Sequence, residues 1–204
     1  GTYECALFAK KFGVALNIAG GTHHAFADHG EGFCVFNDVA VASNLLLARG
    51  QATQILTVDL DVHQGNGTAH LMANEPRVFT FSMHGAKNYP FRKQASDLDI
   101  DLPNETGDEA YLAILMETLP ALITKVKPDM LFYQSAVDVL ATDKLGKLAL
   151  TRDGCAKRDA FVFSQAKAHG IPVAVVMGGG YSENIDDVVE AHCNTFRIAK
   201  RLYE

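Results

Sequence analysis

Asp61 and His63 stand two residues apart on a segment leaving the apolar run Ile55–Val58, so both side chains can point the same way. One carboxylate and one imidazole make a usable pair of metal ligands, and Asp143, on another loop, supplies a third. Three protein ligands and an open fourth position describe a hydrolytic zinc site, where the metal polarises a carbonyl and acidifies bound water. Taken alone, Asp-x-His is equally an ordinary strand-end turn, and Asp143 alone is a far weaker signal, since a loop aspartate beside Lys144 is usually just a solvated charge.

Further groups tilt the balance toward chemistry. His23 and His24 are adjacent in a glycine-flanked loop, and Asp59 and Asn66 lie beside the metal motif, each placed to accept the outer N–H of one histidine. A carboxylate partner raises imidazole basicity, whereas a neutral amide does so much less. One histidine is then expected to be cationic and the other neutral, ready to act as a base near neutral pH. Tyr181 follows Gly178-Gly179-Gly180 directly after an apolar run. The glycines do not form GxGxxG, so a phosphate-cradling loop is a poor reading. A tyrosine on such a turn can donate its O–H to an oxyanion, or simply pack half-buried on a sheet.

These residues need a frame. Short apolar runs at Val14–Ile18, Ile55–Val58, Val78–Met83, Met130–Gln134 and Val173–Met177 suit strands covered on both faces, meaning a parallel sheet. Helical periodicity fills Asn37–Arg49, Asp108–Lys125, Thr151–His169 and Asn184–Leu202, the first capped by Asn37 or Asp38. Tyr3–Phe12 reads as the tail of a helix feeding the first run. The alternation predicts an α/β fold: a three-layer, doubly wound, mainly parallel sheet with helices on both faces, in one domain over residues 1–204. In such a sheet, ligands bind beyond the carboxyl ends of the strands. Four of the expected strands are followed there by chemically loaded loops: Gly20–His24, Asp59–Gly67, the loop with Asp138 and Asp143, and Gly178–Tyr181.

Composition sets the outer limits. At 48% hydrophobic and 21% charged, the 204 residues read as an ordinary globular domain. No apolar run approaches the roughly 18 residues of a membrane span. A formal charge of −6 argues against nucleic acid and favours a cationic partner such as a lysine-rich segment. Cys5, Cys34, Cys155 and Cys193 form no CxxC pair, as expected for reduced thiols in a cytoplasmic protein.

The strings GGTHHAFADHGEGFCVFND, VDLDVHQGNGT, SAVDVLATDKLG and GGGYSENI, in that order, resemble the histone deacetylase family over essentially the whole chain. His63-Gln64-Gly65-Asn66-Gly67 most resembles the class IV branch and its bacterial relatives; other classes commonly have His and Asp in place of Gln64 and Asn66. The resemblance implies an arginase/deacetylase-like fold and hydrolysis of an acyl-lysine amide in a protein, peptide or small acylated amine. It implies Zn²⁺ on Asp61, His63 and Asp143, His24 as general base and then acid with Asn66 as its acceptor, and His23 held by Asp59 for electrostatic stabilisation. Tyr181 would bind the substrate carbonyl and its oxyanion. Gly32 and Phe33 would line a tunnel for the lysine stem, with Gly179 shaping its floor. A structural K⁺ would sit at Asp59, Asp61, His63, Ser82 and the backbone of Met83. The family also carries an N-terminal stretch ahead of the segment that opens this chain, contributing strands and an acidic loop at the tunnel rim.

Other readings remain open on the residues alone. Two-manganese ureohydrolases share the fold and an Asp-x-His-x-Asp string, but Gly65 stands at the third position here. A non-catalytic acyl-lysine or metal-binding module would tolerate loss of Tyr181 or a ligand, and every expected side chain is present. Among amides, acetylpolyamines are the alternative to acyl-lysine.

Overall fold

The computed structural model describes residues 1–204. Its elements, in chain order, are α1 (Thr2–Phe12), β1 (Val14–Asn17), α2 (Asp38–Ala48), β2 (Ile55–Asp59), α3 (Asn66–Met72), β3 (Val78–Gly85), β4 (Leu98–Leu102), α4 (Asp108–Val126), β5 (Met130–Ser135), α5 (Arg152–Ala168), β6 (Val173–Met177) and α6 (Ile185–Tyr203). The strands form one sheet in the order β1-β6-β5-β2-β3-β4, and every neighbouring pair is parallel. The expected three-layer, doubly wound α/β architecture is therefore present, with no antiparallel neighbour.

The alternation of side chains along each strand builds the layers. Leu56, Val58, Leu131, Tyr133, Val173 and Val175 face the core shared with α4, α5 and α6. Their sequence neighbours Ile55, Met130, Phe132, Ala174 and Val176 face the smaller core made with α1 and α2. Central strands that are apolar on both faces can be stable only when both faces are covered, which explains the unbroken apolar runs. Asn37 caps α2 as anticipated, its side chain accepting from the Ala40 N–H; Thr151 and Asn184 cap α5 and α6 in the same way.

Two elements go beyond the sequence reading. β4 is an edge strand whose sequence, Leu-Asp-Ile-Asp-Leu, alternates with acids and stays only partly buried, so it lacks the apolar signature of the interior strands. α3 is seven residues long, too short to show a period. The first strand ends at Asn17 rather than Ile18, whose side chain is exposed.

A buried polar device lies behind the sheet. Arg158 and Asp159 of α5 are both fully buried, and Asp159 accepts from the hydroxyls of Tyr133 (2.5 Å) and Thr195 (2.6 Å). Arg158 reaches the carbonyl of Leu60 at 3.5 Å, directly beneath the loop that carries Asp61. No helix is long and apolar enough to cross a membrane.

Candidate metal centre and its cavity

From β2 the chain proceeds outward to β3 and β4, then returns to place β5 on the other side of β2. That reversal opens a crevice between β2 and β5, the place where doubly wound sheets bind ligands. Asp61 and His63 follow β2, and Asp138 follows β5. His63 Nδ1 lies 3.1 Å from Asp61 Oδ1 and 3.2 Å from Asp138 Oδ2. One donor atom from each of the three residues falls within 4.8 Å of the others, and all three residues are buried.

The remaining carboxylate oxygens fix the loops that carry them. Asp138 Oδ1 accepts from the Val62 N–H at 3.0 Å, and Asp61 Oδ2 from the Gly179 N–H at 3.1 Å. Gly179 in turn gives its carbonyl to the N–H groups of Val137 and Asp138. The loops after β2, β5 and β6 are thus tied together through the site itself. This accounts for the glycines: a Cβ on Gly178 would come within 2.7 Å of Asp61 Oδ2, and one on Gly179 within 2.3 Å of Asp138 Oδ2.

The third carboxylate is Asp138, and the assignment of Asp143 is corrected. Asp143 Oδ2 accepts from the Tyr181 N–H at 2.6 Å, and Oδ1 accepts from Leu145 and Gly146 at 2.8 and 2.7 Å. With both oxygens committed to backbone donors, Asp143 organises a turn. The signal for Asp138 was available: it lies three residues beyond β5, much as Asp61 lies two beyond β2, whereas Asp143 lies eight beyond. Side chains that must meet over adjacent parallel strands come from similar heights above the sheet edge.

The donor set suits a divalent cation, with two carboxylate oxygens and one imidazole nitrogen in a buried cluster. Burial and then the neighbouring Asp61 push the Asp138 carboxyl up to about 7. Burial opposes a charged His63, but hydrogen bonding to Asp138 and Asp61 outweighs it and raises its pKa to about 10. A metal ion held by these three residues would take the place of the His63 proton.

The two histidines adopt the expected pairings. His23 Nδ1 meets Asp59 Oδ2 at 2.6 Å, and His24 Nδ1 meets Asn66 Oδ1 at 2.7 Å. Burial disfavours the His23 imidazolium, but the charges of Asp59 and Asp61 prevail and raise its pKa to about 9. For His24, burial comes first and cationic His23 adds to it, lowering the pKa to about 3. The rings lie 4.1 Å apart between centroids, and His24 stands 6.1 Å from His63.

A cavity of about 570 Å³ opens over this floor, lined among others by His24, Phe33, Tyr89, Phe91, Gly179 and Tyr181. Gly32 and Phe33 are the central residues of a tight turn closed by two backbone hydrogen bonds between Glu31 and Cys34. Both have positive φ, 52° and 67°. A Cβ on Gly32 would sit 2.4 Å from the His24 ring, so the turn packs on the histidine while Phe33 projects outward, 87% exposed. Tyr181 faces Phe33 across the mouth at 6.2 Å. Burial raises its phenol to about 12, which keeps the O–H as a donor. Asp59 and Ser82 lie opposite each other in the β2–β3 register, with Met83 next to Ser82, whose hydroxyl engages His84 Nδ1 at 2.9 Å. Glu31 and Tyr89, absent from the sequence reading, also reach the site: Glu31 Oε1 accepts from Asn66 Nδ2 at 3.2 Å and from the Tyr89 hydroxyl. All four cysteines are free, and Cys34 lines the cavity.

The model of the histone deacetylase domain matches residues 4–196. An uncharacterized protein of Picosynechococcus sp. is 50% identical over 203 residues, covering the whole chain and 68% of that protein. Histone deacetylase 2 of Arabidopsis thaliana is 33% identical over 192 residues, 93% of this chain and 50% of its own length. Human histone deacetylase 1 is 32% identical over 200 residues, 93% of this chain and 39% of its own. The chain thus spans from about two thirds to well under half of these relatives. The crystal structure of the HDA15 HD domain superposes with a TM-score of 0.83 at 23% identity, over 98% of this chain and 61% of that one, a likeness of fold.

Proposed function

The chain belongs to the histone deacetylase family, and on that premise we propose that it carries the zinc-dependent hydrolytic site of a deacylase that removes acyl groups from lysine. One observation carries this reading: Asp61, His63 and Asp138 converge at the floor of a cavity flanked by two histidines of opposite basicity and a tyrosine. A Zn²⁺ held by these three residues would polarise the amide carbonyl and acidify a water.

The chain's own groups account for the remaining chemistry. His24, held neutral, takes a proton from the attacking water as that oxygen bonds to the acyl carbon. His23, cationic beside Asp59, offsets the negative charge that develops. The Tyr181 O–H donates to the oxyanion. When the C–N bond breaks, His24 returns its proton to the departing amine, releasing lysine and a carboxylate. Gly32, Phe33 and Tyr181 guide the uncharged lysine stem, Phe33 by its exposed ring. A structural K⁺ beside Asp59, Asp61, His63, Ser82 and Met83 belongs to the same reading; Asp59, the last residue of β2, lies opposite Ser82, inside β3, in the strand register. The acidic balance of the chain, −6, favours a lysine-rich partner.

The test is carboxylate release from acetyl-lysine peptide by the metal-loaded protein, beside longer acyl-lysines and acetylpolyamines. Release from an acyl-lysine is expected. Saturable binding of the peptide without turnover would instead establish a binding module.

A further inference from the structure

Asn66 poses a problem that a carboxylate in its place would not. An aspartate offers His24 the same acceptor whichever way it turns, whereas an amide presents an oxygen on one side and an NH₂ on the other. Were the NH₂ to face His24, Nδ1 would have to be the unprotonated nitrogen and the ring proton would move to Nε2. The histidine would then lose the Nε2 lone pair that a base needs. Something must hold the amide oxygen toward His24.

We propose that Glu31 is a positioning residue for His24: its carboxylate takes the amide NH₂ of Asn66 and thereby fixes the Asn66 carbonyl on His24 Nδ1. The inference rests on the deacylase reading of His24. Asn66 Nδ2 donates to Glu31 Oε1 at 3.2 Å, and Asn66 Oδ1 stands 2.7 Å from His24 Nδ1. A carboxylate can only accept, so one orientation of the amide satisfies both contacts. Every other polar neighbour of Glu31 can donate: the Tyr89 hydroxyl to the same oxygen, and His29 Nε2 at 3.5 Å from the other. Tyr89 first, with Asn66 and His29 adding to it, lowers the Glu31 pKa and keeps it ionised. The backbone fixes the approach as well. Glu31 opens the turn that closes on Cys34, and its neighbour Gly32 packs directly on the His24 ring. An ionised group two hydrogen bonds from the base also makes the intervening amide a better acceptor. The pair Glu31–Asn66 together does what a single carboxylate does elsewhere.

The experiment reads the ring nitrogens of His24 by ¹⁵N NMR in the holoprotein, alongside steady-state kinetics on acetyl-lysine peptide. Wild type should show the proton on Nδ1. Glu31→Ala should shift His24 toward the Nε2–H tautomer and lower kcat about tenfold, with little change in KM, as expected for loss of a group that orients another. Glu31→Gln, which still offers an acceptor to the amide, should recover part of both. In an Asn66→Asp background there is no amide to orient and Glu31 only faces a second carboxylate, so adding Glu31→Ala should bring no fall in kcat and no shift toward Nε2–H. An unchanged Nδ1–H signal in Glu31→Ala would overturn the proposal. So would an equal fall in kcat in both backgrounds, the mark of a turn that merely holds the loop. Absence of turnover in wild type would count against the deacylase reading, while the nitrogen signals would still decide the role of Glu31.

Discussion

The floor and the rim of the cavity are built on opposite principles. At the floor, Asp61 and Asp138 are 1% and 0% exposed, and each spends one oxygen on a backbone N–H of a neighbouring loop. At the rim, Phe33 and Phe91 are 87% and 92% exposed, and Phe33 is presented from the tip of a two-residue turn. Geometry at the floor is set by the sheet and three cross-tied loops, so displacing one member disturbs the rest. The rim residues touch little, and changing them should alter which substrate fits without reaching the chemistry. The lesson is one of division: precision is stored where backbone donors are shared, and selectivity where side chains stand free.

The comparison breaks most sharply at the third carboxylate. Asp138→Ala should release the metal and abolish hydrolysis, because it removes a ligand and leaves the Val62 N–H without its acceptor. Asp143→Ala should keep the metal, since that side chain holds only backbone groups. It frees the turn that anchors Tyr181, so kcat should fall by roughly tenfold. Losing its charge-assisted hydrogen bonds should cost about 1.5–3 kcal/mol of stability. Metal analysis of both purified variants separates the two roles, and metal lost from Asp143→Ala with metal retained by Asp138→Ala would reverse the assignment.

Tyr181 sits where floor and rim meet, and its hydroxyl should matter more than its ring. Tyr181→Phe should lower kcat by roughly 10²–10³ with metal content and melting temperature unchanged, the loss typical of one oxyanion donor. A drop of less than about threefold, too small for such a donor, would leave the tyrosine a packing residue.

The smallest effect belongs to the rim proper. Phe33→Ala should raise KM by about 3- to 10-fold, a fraction of the burial energy of one aromatic ring. Stability should stay within about 0.5 kcal/mol, as for a surface side chain. A fall in kcat at constant KM would show that Phe33 is coupled to the floor.

The same division explains what the sequence disclosed. Interior strands such as Met130–Ser135 and Val173–Met177 are apolar on both faces and announce themselves, as do the adjacent histidines and the Asp-x-His string. β4 stayed hidden because an edge strand has one face in water and reads as mixed. The choice between Asp138 and Asp143 turned on height above the sheet edge, which depends on where β5 ends, and strand ends are the least legible part of a sequence. Glu31 could not be found at all from spacing. It lies 35 residues from Asn66, and only the fold of the Gly32–Phe33 turn brings them together.

The central claim, that this floor works through a bound metal, is tested most directly by stripping and restoring it. The purified protein would be treated with chelator, dialysed, and titrated with Zn²⁺ while bound metal per chain and carboxylate release from acetyl-lysine peptide are measured together. The account predicts that stripping abolishes turnover and that activity returns in proportion to the first zinc bound per chain. Hydrolysis that persists undiminished in the stripped protein would contradict it.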